Sequence, residues 1–287
     1  MSKSWFITGT SSGFGRLMTE KLLARGDSVV ATLRRTGAFD DLRSQYGDRL
    51  DVVELDVTDS TVRRVVDAAF AAHDRIDVVV SNAGYGLFGA AEELTDEQIR
   101  RQVDTNLIGS MQLIRAALPH LRTQGGGRII QVASEGGQYA YPGFGAYHAT
   151  KWGIEGFVEA VAQEVASFGI ELTLAEPGPA ATGFGAALAF ATPLDAYAAT
   201  PVAQVRRGMT DGSFELRGDP DKFTQSMIDT ADQTPAPRRI TLGSDAYRHI
   251  HEALQSRLDD LENQKDLAYA SDLTRPSTVR QAISSTA

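Results

Sequence analysis

The chain has no cysteine among its 287 residues, so disulfide bonds, thiolate nucleophiles and cysteine-ligated metals are excluded. Its five histidines form no ligand cluster in the sequence, and we therefore expect no metal site. Basic residues are also scarce. The 28 Lys and Arg stand against 37 Asp and Glu, and the resulting net charge of −9 argues against a nucleic-acid partner, because binding phosphates needs a basic surface.

Long apolar runs are missing as well. No stretch reaches the ~20 apolar residues of a membrane span, and the first predicted strand begins at residue 4, which leaves no room for a signal peptide. We therefore expect a cytoplasmic protein with no membrane partner. The 42% hydrophobic content is enough for one sizeable core, so composition predicts a single domain.

Strands and helices alternate in the predicted secondary structure. Strands are predicted at 4–8, 28–32, 51–55, 77–81, 128–133, 169–175 and 238–242. Helices are predicted at 14–25, 60–73, 95–118, 146–167, near 219–233 and at 245–265. This alternation predicts an α/β fold: a three-layer, doubly wound parallel sheet of about seven strands, with its site at the strands' carboxyl ends. The single domain would span 1–265, followed by a polar tail over 266–287.

A glycine-rich turn, TGTSSGFG, joins the first strand to the first helix. Gly9 permits the tight turn, Gly13 lets the backbone approach a pyrophosphate, and Gly15 lets the helix pack closely. A flexible loop is the alternative, but the order strand, turn, helix favours a dinucleotide site. The predicted contacts in this turn are Gly9, Ser11, Ser12, Gly13, Phe14 and Gly15.

A serine, a tyrosine and a lysine stand in the run VASEGGQYAYPGFGAYHATK. Tyr147 and Lys151 are four residues apart, so on a helix they share one face. An ammonium about 4 Å from a phenol, at an effective dielectric of about 20, stabilises the phenolate by roughly 4 kcal/mol, or about three pKa units. Ser134 would present its hydroxyl to the same substrate oxygen. The Tyr–Lys spacing alone is also compatible with chance.

Taken together, these motifs resemble those of the short-chain dehydrogenase/reductase family, over roughly residues 4–245. They occur in the family's order: TGTSSGFG, Asp56 in LDVTD, Asn82-Ala83-Gly84, Asn106 in NLIG, Ser134, Tyr147, Lys151, Pro177-Gly178, and Thr182 in EPGPAAT. The resemblance implies a Rossmann-like oxidoreductase with the catalytic tetrad Asn106, Ser134, Tyr147 and Lys151. Two small departures, Ala149-Thr150 before the lysine and a single serine in VAS, remove no functional group.

The resemblance also assigns roles. Tyr147 is the general acid and base, Ser134 binds the substrate oxygen, and Lys151 lowers the pKa of Tyr147 and binds the nicotinamide ribose. Asn106 shapes a kink and holds a water that relays protons. The remaining cofactor contacts implied are Asp56 and Val57 at the adenine, Asn82, Ala83 and Gly84 along the adenosine, Pro177 and Gly178, and Thr182 at the carboxamide. Family members are commonly homodimers or homotetramers.

The end of the second strand bears on the choice of cofactor. Leu33 stands where an NAD enzyme carries an acidic residue for the ribose 2′-hydroxyl. Arg34 and Arg35 follow, and guanidinium groups suit a 2′-phosphate. The sequence therefore predicts NADP(H) over NAD(H), with Arg34 as the favoured contact. The alternative is that both arginines are a solvated surface pair.

Substrate residues are predicted around Tyr147 and under a lid over about 183–233. The candidates are Ser134, Tyr141, Phe144, Tyr147 and Phe184. Apolar walls suit a hydrophobic ketone, aldehyde or alcohol, although the same side chains could serve only to pack the lid. Two other functions remain open: a non-redox lyase on the same fold, which usually has Arg in place of the lysine, and a cofactor-sensing protein without catalysis.

Overall fold

A computed structural model describes residues 2–185 and 187–273. Seven parallel strands form its central sheet in the order β3-β2-β1-β4-β6-β7-β9, which confirms the predicted doubly wound α/β fold. The strands are β1 Ser4–Thr8, β2 Ser28–Leu33, β3 Leu50–Glu54, β4 Val78–Ser81, β6 Gly127–Val132, β7 Ile170–Pro177 and β9 Arg239–Leu242. A separate two-stranded pair joins β5 Leu87–Phe88 to β8 Ala189–Phe190.

Helices cover both faces of the sheet. They are α1 Gly13–Arg25, α2 Asp40–Tyr46, α3 Val62–Ala72, α4 Asp96–Val103, α5 Gly109–Thr123, α6 Gly145–Val165, α7 Pro201–Asp211, α8 Pro220–Thr230, α9 Ser244–Asn263 and α10 Lys265–Ala270. Side chains of β1 alternate between the two faces, as a strand requires. Phe6 packs in the core beneath α3, α5 and α6, whereas Trp5 and Ile7 pack in the core beneath α1, α2 and α8.

The helix predicted at 95–118 differs from the observed structure. It begins with a capping box at Thr95 and Gln98, is interrupted by a π-helical turn over Asp104–Ile108, and continues as α5 to Thr123. A π turn inserts one residue into the helical ladder and is frequent at functional sites. The interruption places Asn106 within the turn.

The helices α2, α7 and α10 were not predicted, and neither was the strand pair β5 and β8. Helix α2 is too short to show a clear apolar period, and α7 begins at Pro201 inside the stretch interpreted as an irregular lid. Helix α10 runs to Ala270, past the predicted start of the polar tail. Residues 274–287 of that tail lie outside the described residues. We call residues 187–217 the lid segment, because α8 packs against α1 and belongs to the core.

Candidate active site

The glycine-rich turn crosses the carboxyl end of β1. Gly9 and Gly13 have φ angles of +70° and +56°, which side chains of L residues rarely adopt. A Cβ on Gly9 would lie 2.7 Å from Cα of Ala83, and one on Gly15 would lie 2.7 Å from Nδ2 of Asn82. The turn therefore requires glycine for its conformation and for its close contact with the end of β4.

The side chain of Asn82 links the carboxyl ends of β1 and β4. Its Nδ2 donates hydrogen bonds to the carbonyls of Thr8 at 2.9 Å and of Gly9 at 3.1 Å. The backbone amides of Asn82 and Ala83 both donate to the Thr8 hydroxyl, at 3.0 and 3.1 Å. These bonds hold the glycine-rich turn in a fixed position relative to β4.

Asn106 is buried and binds one residue through both atoms of its amide. Its Oδ1 accepts from the backbone amide of Tyr85 at 3.0 Å, and its Nδ2 donates to the carbonyl of Tyr85 at 2.8 Å. Gln102 donates to the same carbonyl at 3.1 Å. A Cβ on Gly84 would lie 3.2 Å from Oδ1 of Asn106. The π turn thus anchors the segment that follows β4.

Ser134, Tyr147 and Lys151 meet at the end of β6. Ser134 caps a 3₁₀ turn, and its hydroxyl accepts from the amide of Gly136 at 3.1 Å. Nζ of Lys151 donates to the carbonyl of Val132 at 2.9 Å and lies 5.7 Å from the ring centre of Tyr147. Ser134, Tyr147 and Lys151 are each only 7% exposed. The structure therefore brings together the triple that the sequence predicts.

The pKa of Tyr147 differs from the prediction. Burial raises the pKa of Tyr147 to about 12, and the Ser134 hydroxyl opposes this rise. Burial also lowers the pKa of Lys151 to about 8, against the attraction of Glu155. The predicted lowering of the tyrosine pKa is therefore wrong for this structure, because burial outweighs the hydrogen bond with Ser134. At neutral pH the phenol keeps its proton.

The edge of the sheet that carries the glycine-rich turn fits a dinucleotide. Helix α1 begins at Gly13 with no side-chain cap and no acidic residue in its first turn, so its amides are available to an anion. Arg34 and Arg35 are exposed just beyond β2, and among the described residues neither forms an ion pair. Leu33 is buried in the core. The donors and charges here suit a phosphorylated ligand.

The other predicted cofactor residues surround the same edge. Oδ1 of Asp56 accepts from the amide of Thr58 at 2.9 Å, and Val57 beside it is buried. Pro177 ends β7, and the amide of Gly178 donates to the carbonyl of Leu242 at 2.9 Å. The Thr182 hydroxyl accepts from the amide of Phe184 at 3.2 Å. Ser11 and Ser12 are exposed. The ring centres of Phe14 and Phe223 lie 6.4 Å apart.

An aromatic cluster lies beside Tyr147. It contains the predicted substrate residues: Tyr141 lies 5.3 Å from Phe144, Phe144 lies 6.0 Å from Tyr147, and Tyr147 lies 5.9 Å from Phe184, all between ring centres. The lid segment contributes apolar side chains to this cluster, namely Leu188, Tyr197, Val202, Val205 and Met209. Residues from the loop after β6 and from the lid thus meet at one apolar surface.

An ion pair between the buried Glu93 and the half-buried Arg206 holds the lid segment against the rest of the domain. The carboxylate of Glu93 accepts from the amides of Ala90 at 2.7 Å and Leu194 at 3.0 Å, and from the guanidinium of Arg206. Arg206 also lies over the ring of Phe88, 5.4 Å from its centre. Neither this pair nor Glu155 on α6 was predicted from the sequence. For Glu155 a signal exists, since it lies four residues after Lys151.

Metal sites and membrane-spanning helices are absent from the part of the chain that the structure covers. No group of three or more His, Asp or Glu side chains there is arranged to hold a metal ion. None of the helices in residues 2–185 and 187–273 is long and apolar enough to cross a membrane.

Comparisons with known proteins support one family. The family model for short chain dehydrogenases matches residues 3–190. An oxidoreductase of Botryotinia fuckeliana, BOA17, is 37% identical over 276 residues, covering 94% of this chain and all of the relative. A short-chain dehydrogenase from Streptomyces avermitilis is 38% identical, with a TM-score of 0.87 over 94% of this chain and 98% of that structure.

A third similar protein was solved with a nucleotide. The closed form of serine dehydrogenase complexed with NADP+ is 26% identical, with a TM-score of 0.67 over 83% of this chain and 93% of that structure. With the seven-stranded sheet, the glycine-rich turn and the buried Ser–Tyr–Lys triple in place, these matches lead to one conclusion. The chain belongs to the short-chain dehydrogenase family and is an oxidoreductase.

Proposed function

We propose that this oxidoreductase interconverts a carbonyl and an alcohol on an uncharged, hydrophobic small molecule, using NADP(H). The observation that carries the proposal is the buried Tyr147, which lies beside Lys151 and Ser134 at the carboxyl edge of the sheet. The nicotinamide would supply the hydride. Tyr147 would supply the proton.

The protein's own residues account for the proton and the oxygen. Because burial keeps Tyr147 protonated at neutral pH, its hydroxyl is ready to donate to a carbonyl oxygen during reduction. The Ser134 hydroxyl would donate a second hydrogen bond to the same oxygen and stabilise the developing alkoxide. In the opposite direction, the ammonium of Lys151 would stabilise the phenolate that accepts the alcohol proton.

Support for NADP(H) comes from charge at the end of β2. Arg34 and Arg35 are exposed there, and the buried Leu33 leaves no acidic group to hold a 2′-hydroxyl. The amides at the start of α1 would hold the pyrophosphate. The NADP+ bound to serine dehydrogenase agrees with this choice.

Support for an uncharged substrate comes from the aromatic cluster. Its members are apolar or aromatic, and the ion pair of Glu93 with Arg206, which contacts its Phe88, has no net charge. A free carboxylate or ammonium on the substrate would be desolvated there without a partner, which is costly. The proposed substrate is therefore a neutral ketone, aldehyde or alcohol.

A cytoplasmic homodimer or homotetramer completes the proposal. Its support is a row of exposed apolar side chains on α9, where Leu254, Leu258 and Leu261 are 49%, 48% and 65% exposed. Light scattering of the purified protein gives the oligomeric state directly. A monomer at micromolar concentration would contradict this part of the proposal and leave the catalytic part unchanged.

The test is a panel of neutral and charged carbonyl compounds, assayed with NADPH and with NADH and in the reverse direction with the alcohols. We expect oxidation of NADPH with neutral hydrophobic ketones or aldehydes, and a smaller specificity constant with NADH. NADPH binding seen by fluorescence, without turnover of any compound, would favour a cofactor-sensing protein. Absence of NADPH binding would favour a non-redox lyase.

A further inference from the structure

A third polar residue on α6 continues the line of Tyr147 and Lys151. Glu155 follows Lys151 by four residues, so the three side chains share one face of the helix, one turn apart. Glu155 is only 4% exposed. A buried carboxylate needs a cation or several hydrogen-bond donors to remain ionised.

The two carboxylate oxygens of Glu155 have different surroundings. Oε2 accepts from Nε2 of Gln138 at 3.1 Å and from Nη1 of Arg239 at 2.7 Å. Oε1 is buried against the backbone of Gly137 and has no hydrogen-bond partner. Direct contacts thus satisfy only one of its two oxygens, and burial raises the pKa of Glu155 to about 7 against the hydrogen bond from Arg239 and the charges of Arg239 and Lys151.

Arg239 does not neutralise Glu155 alone, because it is shared. Its guanidinium also binds Glu176, which is 1% exposed, and Glu159, at 2.6 Å from Nη2. Gln138 and Thr241 add neutral hydrogen bonds to Glu176, at 3.2 and 3.1 Å. One guanidinium therefore faces the three carboxylates of Glu155, Glu159 and Glu176.

The ammonium of Lys151 makes only one hydrogen bond to the residues that the structure describes. One N–H of its ammonium is used by the carbonyl of Val132, the ring of Tyr147 beside it brings no fixed charge, and no carboxylate among the described residues lies within 4 Å of its Nζ. Glu135 influences Tyr147 from the loop after β6 but is paired with His249 at 3.0 Å. Burial lowers the pKa of Lys151, and Glu155 opposes that fall.

We propose that Glu155 is a positioning residue that keeps the ammonium of Lys151 charged at neutral pH, with Arg239, Glu176 and Gln138 as its support. An uncharged lysine cannot stabilise a phenolate at Tyr147, so Glu155 acts on the reaction through Lys151. The effect on turnover rests on the proposed function; the effect on the lysine does not.

The lysine can be measured directly, because the chain has only five lysines. Lysine labelled with ¹³C at Cε gives one NMR signal per residue, and the signal missing from Lys151→Arg identifies Lys151. In wild type we expect a titration midpoint near 8. In Glu155→Gln we expect that midpoint to fall by about one pH unit or more, since an opposite charge within reach shifts a pKa by about one to three units.

Glu159→Gln is the matched control. It removes a carboxylate from the same helix and from the same arginine, but Glu159 has a largely exposed side chain and lies two helical turns from Lys151. Its Lys151 midpoint should stay within about 0.3 units of wild type. An unchanged midpoint in Glu155→Gln, or an equal fall in both variants, would overturn the assignment.

Folding of the test variant is expected, because glutamine has the same shape and Arg239 retains Glu176 and Glu159. Should Glu155→Gln nevertheless not fold, Glu155→Asp replaces it. Aspartate keeps the charge, so Lys151 should titrate within about half a unit of wild type, and a fall of a full unit would overturn the assignment. Neither measurement needs substrate or cofactor, so a failed ketone panel leaves this test intact.

Once a substrate is found, turnover gives a second measure. Loss of charge on Lys151 at lower pH should move the alkaline limb of kcat/KM to lower pH by a similar amount in Glu155→Gln and leave it in place in Glu159→Gln. A uniform loss of activity at every pH, with an unmoved limb, would indicate a purely structural role.

Discussion

The edge of the sheet and the lid segment are held by different kinds of contact. At the edge, the side chains of Asn82 and Asn106 each make two hydrogen bonds to backbone atoms of neighbouring elements. The lid segment is attached by the two-residue strand β8, by the bonds of Glu93 to Leu194 and Arg206, and by apolar packing in the aromatic cluster. It also exposes Phe190, Leu194, Phe214 and Leu216.

We infer from this difference that the edge carries out proton transfer and the lid segment controls substrate entry. Proton transfer needs groups fixed within a few tenths of an ångström, and the edge has the bonds to fix them. Substrate entry needs a part that opens, and regions with few buried contacts are the ones that open at low cost. We therefore expect variants at the edge to change kcat and variants of the lid anchor to change mainly KM.

The largest effect is expected at the edge, from Tyr147→Phe. The ring and its packing against Phe144 remain, and only the hydroxyl that exchanges a proton is lost. Turnover should fall by about 10²- to 10⁴-fold while NADPH still binds with nearly wild-type affinity. Stopped-flow turnover and fluorescence titration measure the two quantities. Turnover within tenfold of wild type would contradict the role of Tyr147.

A smaller effect, on KM more than on kcat, is expected from Glu93→Gln. It leaves the half-buried Arg206 over Phe88 without its charge partner, so the lid segment should lose part of its anchor. We expect the free energy of unfolding to fall by about 3 kcal/mol. KM should rise roughly tenfold to a hundredfold, with kcat changed less.

Glu92→Gln is the control for the lid, since Glu92 is exposed and only accepts a hydrogen bond from Tyr197 at 3.0 Å. Steady-state kinetics and thermal unfolding should show it close to wild type. If Glu93→Gln instead lowers kcat at constant KM, the division between edge and lid is not valid.

The smallest effect is expected from the arginines beyond β2. Replacing Arg34 by serine should lower the preference for NADPH over NADH by about tenfold, because one charged hydrogen bond to the 2′-phosphate is lost. Arg35→Ser should change the preference less. Specificity constants for both cofactors test this. Equal use of NADH by the wild-type protein would remove the basis for an NADP site.

The sequence predicts those parts of the site that depend on local geometry. Gly9, Asn82 and Ser134 follow strands whose apolar character is plain, and the carboxyl ends of parallel strands meet at one edge. The Tyr147–Lys151 pair needs only helical spacing. All these residues are found where their neighbours in sequence predict.

What the sequence could not predict depends on burial and on distant partners. The raised pKa of Tyr147 follows from its enclosure, which no local pattern encodes. Glu93 and Arg206 are 113 positions apart, and each alone is an ordinary charged residue. Helix α7 begins at a proline after a run of alanine and threonine, where the apolar period is weak.

The bond between Asn106 and Tyr85 has a practical consequence. The amide of Asn106 takes the place of a neighbouring strand, since it satisfies both the N–H and the C=O of Tyr85. It binds the main chain alone, so the course of this loop is independent of the side chain at position 85. A library of substitutions at position 85 would therefore leave in place the two bonds by which Asn106 fixes the course of this loop.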